Sequence, residues 1–174
     1  SRLIRIKRVD FIADLISQLS NKIVWKHWGN EGSEKAQILT RVNELLPKDR
    51  FQFFNHQKDV KELYKFYNSN PSAIFIHLST TEGLPTSLIE AACMGLPIIC
   101  TDAGGSNEVV ENGVNGFVVP VEFDISELAL MLDNLIEDEN LRRKFGMASR
   151  RIWEAKFSAK SVYPSFHKKH LLSY

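Results

Sequence analysis

Two glutamates eight residues apart frame the densest chemical stretch of the chain, Thr81-Glu82-Gly83-Leu84-Pro85-Thr86-Ser87-Leu88-Ile89-Glu90. Pro85, with its fixed φ and missing N–H, suits the start of a helix, and Gly83 lets the backbone come close to a ligand. The helix predicted over residues 85–94, closed by Gly95, would present free amides at its amino end. Such an end carries about half a positive charge and binds phosphate or carboxylate. At about 100° per residue Thr86, Glu90 and Met94 share one stripe with Ser87 beside it, while Leu88, Ile89, Ala92 and Cys93 cover the other side. Glu90, the only charge on this helix, lies about 6 Å along the axis from the anion-binding end. A nucleotide's ribose diol sits at about that distance from its phosphates, and a carboxylate accepts two hydroxyl hydrogen bonds well. Glu82, on the loop before the helix, would face the far side of the phosphates, where an attached sugar lies.

The elements that must position these residues alternate between β-rich runs and helical periods. Residues 3–6 read as a strand, followed by a helix through Val9, Ile12, Leu15, Ile16 and Leu19. A second strand over 23–28 ends at Gly29-Asn30-Glu31-Gly32, and a helix through Ala36, Leu39, Val42 and Leu45 stops at Pro47. Strand 51–54, a helix over 59–67 and the nearly all-apolar strand 73–78 follow, the last suited to burial on both faces. After the 85–94 helix come strand 97–101, a Gly104-Gly105 turn, a short helix near 107–111, strand 116–120, and helices over 125–137 and 139–157. This order predicts an α/β fold, a doubly wound parallel sheet of about six strands, with ligands bound beyond the strands' carboxyl ends. The loops at 5–7, 29–32, 55–58, 79–85 and 102–106 form the expected rim. Gly104-Gly105 is also compatible with a tight turn alone, and Gly29-x-x-Gly32 lacks the G-x-G-x-x-G of a dinucleotide fingerprint.

Composition limits the alternatives. The 174 residues suit one domain with at most a short appendage. With 22 Lys plus Arg against 21 Asp plus Glu, the net charge of +1 gives no electrostatic reason to expect a nucleic acid. The 44% apolar content supplies a core. Cys93 and Cys100 are too few for a disulfide framework and are expected as buried, reduced thiols. No apolar run approaches the roughly 20 residues of a membrane span, and no signal-peptide layout opens the chain, so a cytoplasmic protein is expected. Its opening, Ser1-Arg2-Leu3-Ile4, has no methionine and suggests a piece of something longer.

The run Glu82-Gly83-Leu84-Pro85, with Glu90-Ala91, Gly95-Leu96-Pro97-Ile98-Ile99, Thr101, Gly104-Gly105, Glu108-Val109-Val110 and Asn115-Gly116, resembles the donor-binding signature of retaining GT-B glycosyltransferases of family 4, including their E-x7-E pair. The opening through Lys7 is similar to that family's G-R-L-x-x-x-K segment, with Ser1 in place of the usual glycine. The resemblance covers essentially the whole chain. It implies that Arg2 and Lys7 neutralise the donor diphosphate, that Glu90 holds the ribose hydroxyls and that Glu82 contacts the transferred sugar. The amides of residues 84–86, around Leu84, Pro85 and Thr86, would hold the terminal phosphate. Gly29, His56, Gly83, Gly104 and Gly105 complete the expected donor site.

The resemblance further implies a donor-binding domain over 1–157 and a tail over 158–174 that crosses back to an acceptor-binding domain preceding Ser1. The tail's His167-Lys168-Lys169-His170 reads as a solvated basic face rather than a metal site. No metal or other cofactor is expected, because Arg and Lys neutralise the donor phosphates in this family and no Asp-x-Asp motif is present. The expected partners are a nucleotide sugar and a glycan or lipid-linked acceptor, in bacterial surface-polysaccharide synthesis, with peripheral contact at the inner face of the membrane. Two other readings stay open: a nucleotide-sugar epimerase of the same fold, and a nucleotide-binding module without turnover.

Overall fold

The computed structural model describes residues 1–54 and 60–162. Its strands are β1 (Trp25–Trp28), β2 (Phe51–Phe54), β3 (Phe75–His77), β4 (Ile98–Thr101) and β5 (Gly116–Val119). The helices are α1 (Val9–Ser17), α2 (Lys35–Leu45), α3 (Val60–Ser69), α4 (Thr86–Cys93), α5 (Ser106–Val109), α6 (Ile125–Glu137) and α7 (Glu139–Lys156). All strand pairs are parallel, and they form two ladders, β1-β2 and β3-β4-β5. The α/β alternation expected from the sequence is present.

One element differs from expectation. Residues 3–6 form no strand: Lys7 donates to the Ile4 carbonyl at 2.9 Å in a 3-10 turn over Arg5–Lys7, and Arg8 follows at φ 45°. The backbone of this segment is drawn two ways. The Leu3 amide donates to the Glu31 carbonyl at 2.8 Å, and the Ile6 carbonyl accepts from Thr80 at 2.9 Å. Among the described residues there are therefore five strands instead of about six.

The core explains why the helices face as they do. Ile12, Leu15 and Ile16 of α1 and Leu128, Leu132 and Leu135 of α6 are buried together beside Ile38 and Val42 of α2. On the other face Leu88, Ala91 and Ala92 of α4 pack with Ile98, Cys100 and Val109. Asp124 caps α6 by accepting from the Ser126 and Glu127 amides, and Asp138 caps α7 by accepting from Leu141. Asn115 is fully buried, accepts from the Glu111 amide at 2.7 Å and donates to Ser149 Oγ at 3.2 Å, so its part in the sequence pattern is structural. Cys100 is buried and its thiol is pushed up to about 12 by burial, whereas Cys93, expected buried, is only half-buried at the end of α4, where Arg150 bonds its carbonyl.

Candidate active site

The 79–85 loop leaves β3 and delivers the chain to α4, so the site grows from that strand's carboxyl end. Pro85 is the helix N-cap rather than its first turn, with φ −73° and ψ 106°. Its carbonyl accepts from Leu88 at 3.0 Å. The amides of Thr86 and Ser87 have no partner among the described residues, which leaves the positive end of α4 open.

Gly83 and Gly104 play opposite parts. A Cβ on Gly83 would meet nothing within 4 Å, so its backbone is open to an approaching group. Gly104 has φ +55°, and a Cβ there would fall 1.9 Å from the Glu82 carbonyl oxygen. The Gly105 amide donates to the Gly83 carbonyl at 2.7 Å. The Gly104-Gly105 turn is thus a backbone support laid against the Glu82-Gly83 loop. Gly29, at φ +112°, serves the opening segment likewise, since its Cβ would lie 2.1 Å from the Ser1 carbonyl.

Glu82 is held by two partners on one oxygen. Lys7 Nζ forms an ion pair with its Oε1, and His77 Nε2 lies 2.9 Å from the same atom. Burial works to raise the Glu82 pKa, but its neighbours, Lys7 first among them, outweigh it and hold the carboxyl below its ordinary range. Burial pushes His77 down despite the carboxylate beside it, so the neutral ring donates to Glu82. Glu90 is in the contrary state: half-buried, its carboxylate without a hydrogen-bond partner among the described residues, and its pKa raised by burial. Its carboxylate is free to take a ligand's hydroxyls.

A cavity of about 1100 Å³ opens at these groups, with Lys7, Thr86, Ser87 and Glu90 on its wall beside His27, Trp28 and His77. Lys7, Glu82, Thr86 and Glu90, far apart in sequence, are therefore gathered at one place, with Gly83, Leu84 and Pro85 between them. Arg2 is exposed and makes no ion pair among the described residues, leaving its guanidinium available near the opening segment. His56 and the tail's His167 and His170 lie outside the described residues. His77 was not singled out from the sequence. A lone histidine at the end of an apolar strand, five residues before an acidic loop residue, was the available signal.

Among the described residues no group of three or more His, Cys, Asp or Glu side chains is arranged to hold a metal ion, and no helix is long and apolar enough to cross a membrane.

The chain is 29% identical over 173 residues to the N-acetyl-alpha-D-glucosaminyl L-malate synthase of Bacillus anthracis, covering 97% of this chain and 41% of that protein. It is 33% identical over 106 residues to the capsular polysaccharide biosynthesis glycosyltransferase CapM of Staphylococcus aureus, covering 61% of this chain and 27% of the relative. Among solved structures, Anabaena Alr3699/HepE in complex with UDP and glucose superimposes with a TM-score of 0.81 at 24% identity, over 97% of this chain and 46% of that one. The C-terminal domain of a glycosyl transferase group 1 family protein, LpcC, from Francisella tularensis gives a TM-score of 0.78 at 21% identity, over 91% of this chain and 83% of that domain. The chain thus spans less than half the length of the curated relatives it matches. With residues 1–152 matching the family described as glycosyl transferases group 1, the chain belongs to that family.

Proposed function

We propose that this chain is the donor-binding half of a retaining GT-B glycosyltransferase of family 4, which moves a sugar from a nucleoside diphosphate to a hydroxyl acceptor. The observation that carries the reading is the pair Glu82 and Glu90 placed on either side of the open amino end of α4. Glu90 takes the ribose diol, the free Thr86 and Ser87 amides take the terminal phosphate, and Glu82 reaches the transferred sugar. Lys7 and Arg2 neutralise the diphosphate, and no metal is called for. The Anabaena structure with UDP and glucose supports a donor of this class.

The acceptor oxygen attacks the anomeric carbon on the face the diphosphate leaves. The carbon–oxygen bond to phosphate breaks with its electron pair going to the leaving group, which accepts the acceptor's proton. Retention follows, and no protein nucleophile is needed from this half. This domain's contribution is stabilisation of negative charge on the departing diphosphate. The acceptor, a glycan or lipid-linked alcohol, would be held by a second domain of the full-length chain, in cytoplasmic synthesis of a surface polysaccharide. The relative in capsular polysaccharide biosynthesis supports that setting.

Titration of this chain with UDP, GDP and ADP tests the donor site. Assay of the full-length protein with nucleotide sugars, with and without acceptors, separates transfer from epimerisation and from binding without turnover. A new sugar in the donor pool without an acceptor would favour the epimerase.

A further inference from the structure

Arg8 stands where the backbone asks for glycine. It joins the Arg5–Lys7 turn to α1 with φ 45° and ψ 44°, and among the described residues it is the only non-glycine at positive φ. In this left-handed region a side chain crowds its own backbone, so a residue free to choose leaves it. Something must hold Arg8 there.

Its own guanidinium does. One terminal nitrogen donates to the Val121 carbonyl and the other to Glu122 Oε1, the latter at 3.0 Å. The group also lies 5.0 Å from the ring centre of Phe11 and 5.8 Å from that of Phe123, two rings that meet edge to face. Glu122 is 89% exposed, so its ion pair is screened and contributes little, whereas the Arg8 side chain is only 13% exposed. The hold therefore comes mainly from the Val121 carbonyl and the two rings. Phe11 belongs to α1, and Val121 and Phe123 belong to the loop between β5 and α6. The side chain thus ties the start of α1 to that loop.

The joint that Arg8 fixes sets the direction of Lys7. Val9 and Ile12 anchor α1 in the core, so the chain before the helix leaves it at the angle residue 8 dictates. At the helical φ near −63°, a change of roughly 110°, α1 would begin earlier and carry Lys7 along its own axis, away from Glu82 at the end of β3. The segment's other backbone ties, Leu3 to Glu31 and Ile6 to Thr80, lie on the far side of Lys7 and leave this joint open.

We propose that Arg8 is a positioning residue of the donor site: by holding the left-handed joint it aims Lys7 at the diphosphate, and it touches no ligand itself. This rests on the reading of Lys7 as a diphosphate contact. The Arg8 guanidinium is engaged by the 121–123 loop and the rings, so its effect on a ligand must pass through Lys7.

Calorimetry on the full-length protein tests it, with the tightest-binding of UDP, GDP and ADP and with the matching nucleoside. Arg8→Ala should weaken diphosphate binding at least about tenfold and nucleoside binding less than about twofold. Arg8→Gly, which takes a positive φ without steric cost, should return diphosphate affinity to within about threefold of the wild type. In a Lys7→Ala background, Arg8→Ala should cost less than about twofold more, because the two residues act as one unit. A loss that adds to that of Lys7→Ala, that falls equally on the nucleoside, or that Arg8→Gly does not relieve overturns the inference. A loss in Lys7→Ala with none in Arg8→Ala sinks this inference alone and leaves the donor reading standing. Unchanged diphosphate affinity in Lys7→Ala removes the Lys7 assignment first, and this inference with it. Should Arg8→Ala fail to fold, Arg8→Lys carries the same cycle, since it keeps the charge and loses the paired donors.

Discussion

His77 and Glu82 lie five residues apart and meet across the end of β3, with the imidazole Nε2 2.9 Å from the carboxylate Oε1. The same oxygen takes Lys7. A loop glutamate that would otherwise sample several rotamers is thus tied to a buried strand residue and to the turn after the opening segment. His77→Phe in the full-length enzyme removes one hydrogen bond to a charged group, a loss of about 1.5–3 kcal/mol. Turnover should fall about ten- to a hundredfold while the affinity for nucleoside diphosphate stays unchanged. A change in UDP or GDP affinity with turnover intact would remove His77 from the positioning of Glu82.

Acid stability follows from the same neighbourhood. His77 and His27 are both lowered by burial from the ordinary 6.5, His27 to about 4. In the unfolded chain these rings take up protons near 6.5, and in the folded chain only at lower pH. Their contribution is therefore fully present above about pH 6.5 and lost as pH falls from there toward 4. Glu82, lowered from 4.5, adds a loss of the same sign at still lower pH. The thermal midpoint should be level above pH 6.5 and decline below it, and His27→Gln should make the decline shallower. A midpoint that rises on acidification through this window would contradict the assignment.

Much of this was legible in residue spacing. Strand 51–54 and helix 125–137 lie where their patterns put them, and the helix is bounded by strong stops: Asp124 caps α6, and Asp138 ends it and starts α7. Residues 3–6 misled because Leu3, Ile4 and Ile6 are as apolar as a strand, while their backbone partners are loops whose positions depend on the whole fold. The mate of Glu82 was hidden for a related reason. His77 belongs to a run whose apolar neighbours argue only for burial, and its direction is set by pairing with β4.

The two glycines of the acidic loop and its support should separate cleanly. Gly104→Ala forces a side chain to a positive φ and against the Glu82 carbonyl, so the thermal midpoint should fall by several degrees, for a loss of about 1–3 kcal/mol. Gly83→Ala places its methyl in open space and should leave the midpoint unchanged while weakening diphosphate binding. Equal thermal effects of the two would show that the Gly104-Gly105 turn does not support the loop.

Glu90 should govern nucleotide affinity. Glu90→Ala removes a charge-assisted acceptor and should weaken UDP or GDP binding by about 1.5–3 kcal/mol, whereas Glu82→Ala should mainly slow turnover. Burial raises the Glu90 pKa above 4.5, and the ribose hydroxyls need its ionised form. Affinity should therefore begin to fall on acidification at a higher pH than an ordinary carboxylate would give. Calorimetry on the wild type and Glu90→Gln checks this, since the variant's affinity should lose that pH dependence.

Metal and salt provide the last test. Arg2, Lys7 and the amino end of α4 together offer about two and a half positive charges to a diphosphate, counting about +0.5 for the helix. Lys7 is ion-paired with Glu82, so its charge is partly spent until a donor arrives and shares it. Exposed Arg2 keeps its full reach. Binding should survive EDTA unchanged, and it should weaken as ionic strength rises, because contacts near the surface are screened over about 8–10 Å. Lys7→Ala should flatten that salt dependence and harm diphosphate binding far more than nucleoside binding. It also frees Glu82 beside the phosphates, where an unpaired carboxylate repels them, so Lys7→Ala with Glu82→Gln should bind diphosphate better than Lys7→Ala alone. Affinity that collapses with chelator and returns with magnesium or manganese would instead require a cation at the diphosphate, and Arg2 and Lys7 would lose their assignment.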